Sequence, residues 1–356
     1  MTTCPRCHAE IAADDQFCES CGATLVDTVV PMIAAEGATG THLGHATPVE
    51  PGTPPDAAPQ TCSCGGAIDD DGWCSVCGLR ARNERDHFVE VAAPNVAAVC
   101  DRGLVHARNE DATALAAADD RIVVVVCDGV TSTTDSDVAS LAAVRAARDA
   151  LVSAPPPTTR EPDDVVAAWT AAITAAASAA QAEAEHAAAT VGSNDNPPSC
   201  TFVAAVVDAP VLVAGWLGDS RCYWFGDDGT GIQVSVDDSW ATGQIAQGIP
   251  RDIAEADPRA HSITRWLGTD APESVPTCAS VDVQVGGWLL LCSDGLWNYC
   301  SSAADLGALL RDTAVAQSGD PLATADALCS WANDRGGHDN ITVALARITG
   351  TAEPAR

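Results

Sequence analysis

The chain is poor in positive charge. Lys and Arg number 18 against 49 Asp and Glu over 356 residues, a formal net charge of −31. No basic run interrupts this field, which opposes nucleic acid and anionic lipid as partners. A phosphate-bearing substrate would need its charge neutralised by something other than Lys and Arg, and metal ions are the candidates. Long hydrophobic runs are missing as well. No stretch of about 18 uninterrupted apolar residues occurs, which argues against a membrane span. The N-terminus, MTTCPRCHAE, has no apolar signal core, so a cytoplasmic location is expected. There the 16 cysteines are expected to be thiols or metal ligands rather than disulfides.

What is present separates into regions. Residues 1–25 and 61–80 carry four cysteines each, while 26–60 is rich in Pro, Gly, Ala and Thr. That middle segment has too little to bury against itself and is expected to be a flexible linker. From about residue 88 the texture is globular. Apolar, β-rich runs recur at 122–127, 201–207, 211–217, 222–226, 232–236, 281–285, 288–292 and 341–347. Tight turns such as Asp208-Ala209-Pro210 join neighbours, which suits antiparallel hairpins. Helices are expected over the Ala-rich 137–152 and 163–190, divided by SAPPPTTREP, and over 304–316 and 321–335. Hairpins interrupted by helix pairs predict an α+β layered domain, antiparallel sheets covered by helices.

Two cysteine sets have metal-site spacing. The stretch CPRCHAEIAADDQFCESC places Cys4, Cys7, Cys18 and Cys21 in two knuckles. Cys62, Cys64, Cys74 and Cys77 repeat the relation with one knuckle a residue shorter. Four thiolates so spaced can close tetrahedrally on one ion, usually Zn2+, with a rubredoxin-like iron site or unligated thiols as the alternatives. Gly22, Gly65 and Gly78 each follow a cysteine, where a knuckle needs room for amides to approach sulfur. Each set resembles the zinc-ribbon family. A closed four-ligand site implies a structural metal, so the modules are expected to bind a partner protein or steady the chain.

Acidic residues terminate the apolar runs of the main domain. Asp128-Gly129 follows IVVVVC, Asp219 follows VLVAGWLG, and Asp294-Gly295 follows WLLLCS. Asp339-Asn340 precedes ITVALARI, and Asn109-Glu110-Asp111 ends CDRGLVHARNED. One Asp at a strand end is ordinarily a turn or a cap. Five such segments, two of them repeating the Asp-Gly form, point to a shared site. Carboxylates crowded at one sheet edge repel one another unless hard dications lie between them. Mg2+ and Mn2+ take oxygen ligands and keep much of their water. Two such ions about 3.5–4 Å apart can share and acidify a water and clamp a phosphoryl oxygen.

Taken in order, these segments resemble the metal-dependent protein phosphatases of type 2C, the PPM family. The motifs are D-x-G-x-x-x-x-x-NED at 101–111, Asp-Gly at 128, TFVAAVV, GDSR at 218–221, TRWLG at 264–268, LLLCSDGLW at 289–297 and DNITV at 339–343, over about residues 88–348. The resemblance implies a four-layer α/β/β/α sandwich of two antiparallel sheets. It implies that Asp128 bridges two Mg or Mn ions and that Gly129 offers its carbonyl. Asp294 and Asp339 would hold one ion, Glu110 and Asp111 would order metal-bound water, and Asp219 would help hold a third, weaker metal. The reaction implied is hydrolysis of phosphoserine or phosphothreonine in proteins, products of a Ser/Thr kinase. The eight cysteines after residue 80 then need no chemical role, and Cys127 and Cys292 are expected in the core.

The chain departs from the family at two places. Where relatives carry a phosphate-gripping arginine, this chain has His106, with Arg108 two residues on. An arginine is always charged and binds phosphate bidentately, whereas a histidine is charged only part of the time near neutrality. His106 keeps the register with Asn109-Glu110-Asp111 and is the preferred phosphate ligand over Arg108. After Asp128-Gly129 come Val130-Thr131-Ser132, with no general-acid histidine, and the hydroxyls of 131–136 are expected to cap the following helix. The alternative to an active enzyme is a phosphoprotein-binding scaffold with a weakened site.

Overall fold

The computed structural model describes residues 83–118, 121–192 and 196–350, with short stretches at 2–3, 10–11, 62, 65–69, 73–76, 78 and 81. The chain divides into two compact units, Met1–Ala58 and Pro59–Arg356. In the first, β1 (Thr2–Thr3) pairs antiparallel with β2 (Glu10–Ile11). The cysteines of the first set, Cys4, Cys7, Cys18 and Cys21, and the linker 26–60 lie outside the described residues.

The second unit opens with the second cysteine set. Ile68 bridges Cys74 in antiparallel sense, and the Cys62 amide donates to the Gly66 carbonyl at 2.9 Å. The Val76 amide lies 3.4 Å from the Cys74 sulfur, the amide-to-sulfur approach a metal knuckle uses. Gly65 and Gly78 take positive φ, +83° and +70°, where a side chain would be strained. Cys64 and Cys77 lie outside the described residues.

Thereafter come β3 (His87–Ala93), β4 (Val96–Asp101), β5 (Ala112–Ala118), β6 (Arg121–Cys127) and helices α1 (Ser136–Ser153) and α2 (Pro162–Val191). Strands β7 (Ser199–Cys200), β8 (Phe202–Asp208), β9 (Val211–Leu217), β10 (Arg221–Gly226) and β11 (Gly231–Gln233) precede the short helices α3 (Trp240–Ala246) and α4 (Arg251–Glu255). The chain continues through β12 (Leu267–Gly268), β13 (Thr277–Asp282), β14 (Gly287–Cys292), α5 (Asp294–Trp297), α6 (Ala303–Ala316), α7 (Pro321–Asn333) and β15 (Ile341–Ile348).

Among the described residues two large antiparallel sheets result, with β7 and β12 forming a separate two-stranded pair. One has six strands in the order β11-β10-β14-β15-β4-β3, the other five in the order β13-β9-β8-β6-β5. Three apolar cores account for the layering. In β6, Val123, Val125 and Cys127 face α1 and α2, meeting Leu151, Trp169 and Ile173. Ile122, Val124 and Val126 of the same strand face the other sheet, against Trp224, Leu289 and Leu291. Leu290, Cys292, Val343 and Leu345 pack outward on Leu310 and Leu328 of α6 and α7. Alternate side chains thus enter different cores, and both are apolar. That is why these strands read as unbroken apolar runs instead of alternating ones. The four-layer α+β sandwich is as the resemblance implied. Cys127 and Cys292 are fully buried in the two helix-facing cores, as expected.

Local differences have physical causes. The 232–236 run pairs only over Gly231–Gln233, and the strand expected at 281–285 is displaced to Thr277–Asp282. Val236 and Val285 are exposed instead. Among the described residues, α2 is the one helix long and apolar enough to cross a membrane. Its apolar stripe, with Trp169, Ile173 and Ala177, is buried in the core under the five-stranded sheet.

Candidate active site

The loops at one end of the sandwich carry the acids. Asp128 follows the last residue of β6 and is held at its backbone. Its amide donates to the Thr201 hydroxyl at 2.9 Å, and its carbonyl accepts from the Thr201 amide at 2.8 Å. The Thr201 hydroxyl also meets Ser220 at 2.7 Å, beside Asp219. Asp294 opens α5 where β14 ends. Asp339 lies in the turn before β15, with Asn340 buried behind it. A fixed strand end delivers each carboxylate to the same rim.

The 102–111 loop is tied down from several sides. Asn340 donates from Nδ2 to the carbonyls of Arg102 (2.7 Å) and Arg108 (2.9 Å), and its Oδ1 accepts from the Glu110 amide at 2.7 Å. Ser140 on α1 donates to the Glu110 carbonyl at 2.6 Å. Gly129 leaves no room for a side chain, since a Cβ there would lie 2.7 Å from the Glu110 carbonyl. Asp111 is wholly buried and accepts on Oδ2 from Ser293 (2.7 Å) and Thr342 (2.8 Å).

A cleft of about 520 Å³ opens over this rim, walled by Asp128, Gly129, Asp219, Asp294 and Asp339 among others. These are five of the sequence-predicted site residues. Glu110, Asp111, His106 and Arg108 are not among its walls. His106 Nε2 nevertheless lies 3.3 Å from Asp339 Oδ1. Arg108 turns away to Asp135 Oδ1 at 2.6 Å and Asp137 Oδ1 at 3.5 Å.

The electrostatics are those of like charges forced together. Burial, then the neighbouring carboxylates of Asp111, Asp294, Asp339 and Asp219, pushes Asp128 well above the usual carboxylate range. Burial and the same kind of neighbours, led by Asp339, push Asp294 well up too. Asp111 is pushed up to about 6, chiefly by burial, although the Ser293 and Thr342 hydroxyls oppose the shift. Asp219 is pushed up to about 7 by burial and by Asp237, against Arg221. Glu110 is also raised by burial, with Ser136 and His106 opposing. Burial alone would favour the neutral acids, and only positive charge in the cleft would keep all of them ionised.

Two buried oxygens, Asp111 Oδ1 and Asp294 Oδ1, have no hydrogen-bond partner. Among the described residues no three His, Cys, Asp or Glu side chains close directly on one point. An all-oxygen donor set of few, spaced carboxylates with orphaned lone pairs fits a hard dication that keeps its own water. It does not fit a tightly caged soft metal.

The hydroxyls of 131–136 do not cap α1. The N-cap Asp135 sits at φ 52° with no side-chain cap bond, and its carboxylate is taken by Arg108. Thr133 Oγ1 donates to the Val130 carbonyl at 2.7 Å, and residues 130–133 wall the cleft instead. Sequence reasoning missed Ser293 and Thr342, which orient Asp111, and Thr201, which anchors Asp128. A polar residue inside an apolar strand, such as Thr342 in ITVALARI, was the available signal. His261 and Trp266, also in the cleft wall, come from the segment between α4 and β12.

The sequence pattern of the family described as Protein phosphatase 2C matches residues 105–329. The serine/threonine phosphatase stp of Listeria innocua serovar 6a is 31% identical over 247 residues, 69% of this chain and 92% of that protein. The chain belongs to the protein phosphatase 2C family. It is a serine/threonine protein phosphatase. Residues 3–25 of this type 2C phosphatase match the zinc-ribbon domain family, the first of the two cysteine sets. Among solved structures, the phosphatase PstP/Ppp of Mycobacterium tuberculosis superposes with a TM-score of 0.55 at 27% identity, covering 73% of this chain and 99% of that one. A structure of the PstP catalytic domain in complex with two manganese ions matches at TM-score 0.53 and 27% identity, covering 73% of this chain and 98% of that one.

Proposed function

We propose that this phosphatase hydrolyses phosphoserine and phosphothreonine in proteins at a centre of two Mg2+ or Mn2+ ions. Asp128, the Gly129 carbonyl, Asp294 and Asp339 would hold the pair, and Asp219 would help hold a third. The observation that carries this is the convergence of Asp128, Asp219, Asp294 and Asp339 on one cleft, with Asp294 Oδ1 left unpartnered. The relative solved with two manganese ions supports the stoichiometry. When bound, such ions acidify a water and offset the charge of the phosphoryl group.

The chain's own residues do the rest. Thr201 fixes Asp128 by its backbone, and Asn340 closes the 102–110 loop so that Glu110 and Asp111 keep their station. His106 is the phosphate ligand of our choice. Its Nε2 is already at Asp339, whereas Arg108 is engaged by Asp135 and Asp137. The two cysteine modules, 1–25 and 61–80 on either side of a linker at 26–60, would each hold a structural Zn2+ and select a partner protein ahead of the phosphatase domain at 88–348. The substrates would be products of a Ser/Thr kinase in the cytoplasm.

Hydrolysis of p-nitrophenyl phosphate with Mn2+ tests the central claim, with EDTA and Asp294→Ala as controls. Turnover that needs metal and disappears in the variant is expected. Tight phosphopeptide binding without turnover would instead establish the scaffold alternative.

A further inference from the structure

The turn Asn83–Asp86 lies between the second cysteine set and β3, outside the span matched by the phosphatase family. It is tightly built. Asn83 Oδ1 accepts from the amides of Arg85 (2.7 Å) and Asp86 (3.1 Å), while the Asn83 amide donates back to Asp86 Oδ2 at 3.1 Å. Such a reciprocal arrangement fixes the backbone of a turn and presents its third residue in one direction.

That residue is Arg85. Its Nη2 donates to the Asp111 carbonyl at 2.9 Å and to the Asn109 carbonyl at 3.4 Å. In return, Asn109 Nδ2 donates to the Arg85 carbonyl at 2.8 Å. The Asp86 carbonyl also accepts from the Arg102 amide at 2.8 Å, at the other end of the same loop. The guanidinium lies 5.9 Å from the Phe88 ring centroid, which limits its swing. A segment with no part in the cleft therefore bolts both ends of the loop that carries Glu110 and Asp111.

We propose that Arg85 is a positioning residue of the phosphatase. By clamping the carbonyls of Asn109 and Asp111, it sets the place of Glu110 and Asp111 behind the cleft. The chain leaving the second cysteine module thereby becomes part of the active-site scaffold. The proposal rests on the two-ion reading above. Asp111 is held as well through its side chain, by Ser293 and Thr342, and through its amide, which donates to Asn109 Oδ1 at 3.2 Å, but Arg85 is what grips its carbonyl. A planar guanidinium suits the clamp because one nitrogen reaches two carbonyls without losing its charge.

The test uses full-length protein carrying Arg85→Ala or Arg85→Lys. Mn2+ uptake is measured by calorimetry, and p-nitrophenyl phosphate turnover at saturating Mn2+. Arg85→Ala is expected to weaken Mn2+ binding and lower kcat by about tenfold or more each, with KM within about twofold, as for residues that orient metal ligands. Arg85→Lys should fall between wild type and Arg85→Ala, because an ammonium still donates to one carbonyl. A folded Arg85→Ala protein with Mn2+ affinity and kcat within twofold of wild type overturns the proposal. Where Arg85→Ala does not fold, Arg85→Lys decides, and unchanged Mn2+ affinity and kcat there overturn it equally. Absence of Mn2+ uptake by the wild type would sink the two-ion reading itself. Uptake by wild type with indifferent Arg85 variants removes only the clamp.

Discussion

The adjacent strands β6 and β8 place carboxylates at opposite ends, Asp128 just past β6 and Asp208 closing β8, roughly 20 Å apart for a seven-residue strand, and the two ends treat them in opposite ways. At one end Asp208 is only 5% exposed. Its carboxylate is paired with the Arg160 guanidinium and accepts from Trp169 Nε1 at 3.0 Å. At the other end Asp128 faces Asp111, Asp219, Asp294 and Asp339, and two buried oxygens have no donor. Asp208 is a carboxylate the fold satisfies from its own side chains. The cluster at the far end is one the fold leaves for something from solution to satisfy, at a cost in stability. A protein spends stability in that way where function requires it.

The sharpest way to break this comparison is to delete one acid at each end. Asp128→Ala should lower kcat/KM by roughly a thousandfold, the equivalent of several kcal/mol of lost transition-state stabilisation. Asp208→Ala should leave kcat within about twofold. It should lower unfolding stability by about 1–3 kcal/mol in urea, since a buried indole N–H loses its acceptor. Comparable activity losses at both ends would abolish the distinction.

The second prediction concerns pH in EDTA-treated protein. Asp111 and Asp219 titrate near 6 and 7 when folded, above their ordinary 3.8. A raised carboxyl contributes its stability as the protonated acid. That contribution is complete below about pH 4 and is lost as pH rises through 6 to 7. The metal-free protein should therefore unfold more readily at pH 8 than at pH 5, by on the order of 1–3 kcal/mol per group. Mn2+ should reverse the trend at pH 8, the increment growing with its concentration. Denaturation of the metal-free form that is flat with pH would count against the crowding.

The smallest expected effect separates His106 from Arg108. His106→Ala should raise KM about tenfold, the scale of one lost charge-assisted hydrogen bond. Arg108→Ala should change it less than about twofold, because its charge is already committed to Asp135 and Asp137. Steady-state kinetics with a phosphopeptide would reverse our assignment if the ranking inverted.

Much of this was legible in the chain. The runs IVVVVC and WLLLC read as strands because both faces of each are buried, and the carboxylates after them read as a site because several repeated the pattern. The α1, α2, α6 and α7 boundaries fall within two residues of expectation. The strand β5, ATALAAA, was not foreseen. Alanine favours helix intrinsically, and only pairing of Ala112 to Ala118 along β6 makes this stretch a strand. The hydroxyls after Gly129 were expected as caps, but the cleft wall claims them.

By itself the sequence determined which residues are apolar, which carry charge, and the order in which acids follow strands. These are local properties, and periodicity and spacing express them directly. Only the tertiary structure decided that Asp111 is buried among Ser293 and Thr342, that Arg108 is spent on Asp135, and that Arg85 grips a loop 24 to 26 residues further along the chain. Such contacts arise where two sheets and their covering helices meet. They depend on distances through space, which a linear pattern of residue types does not encode.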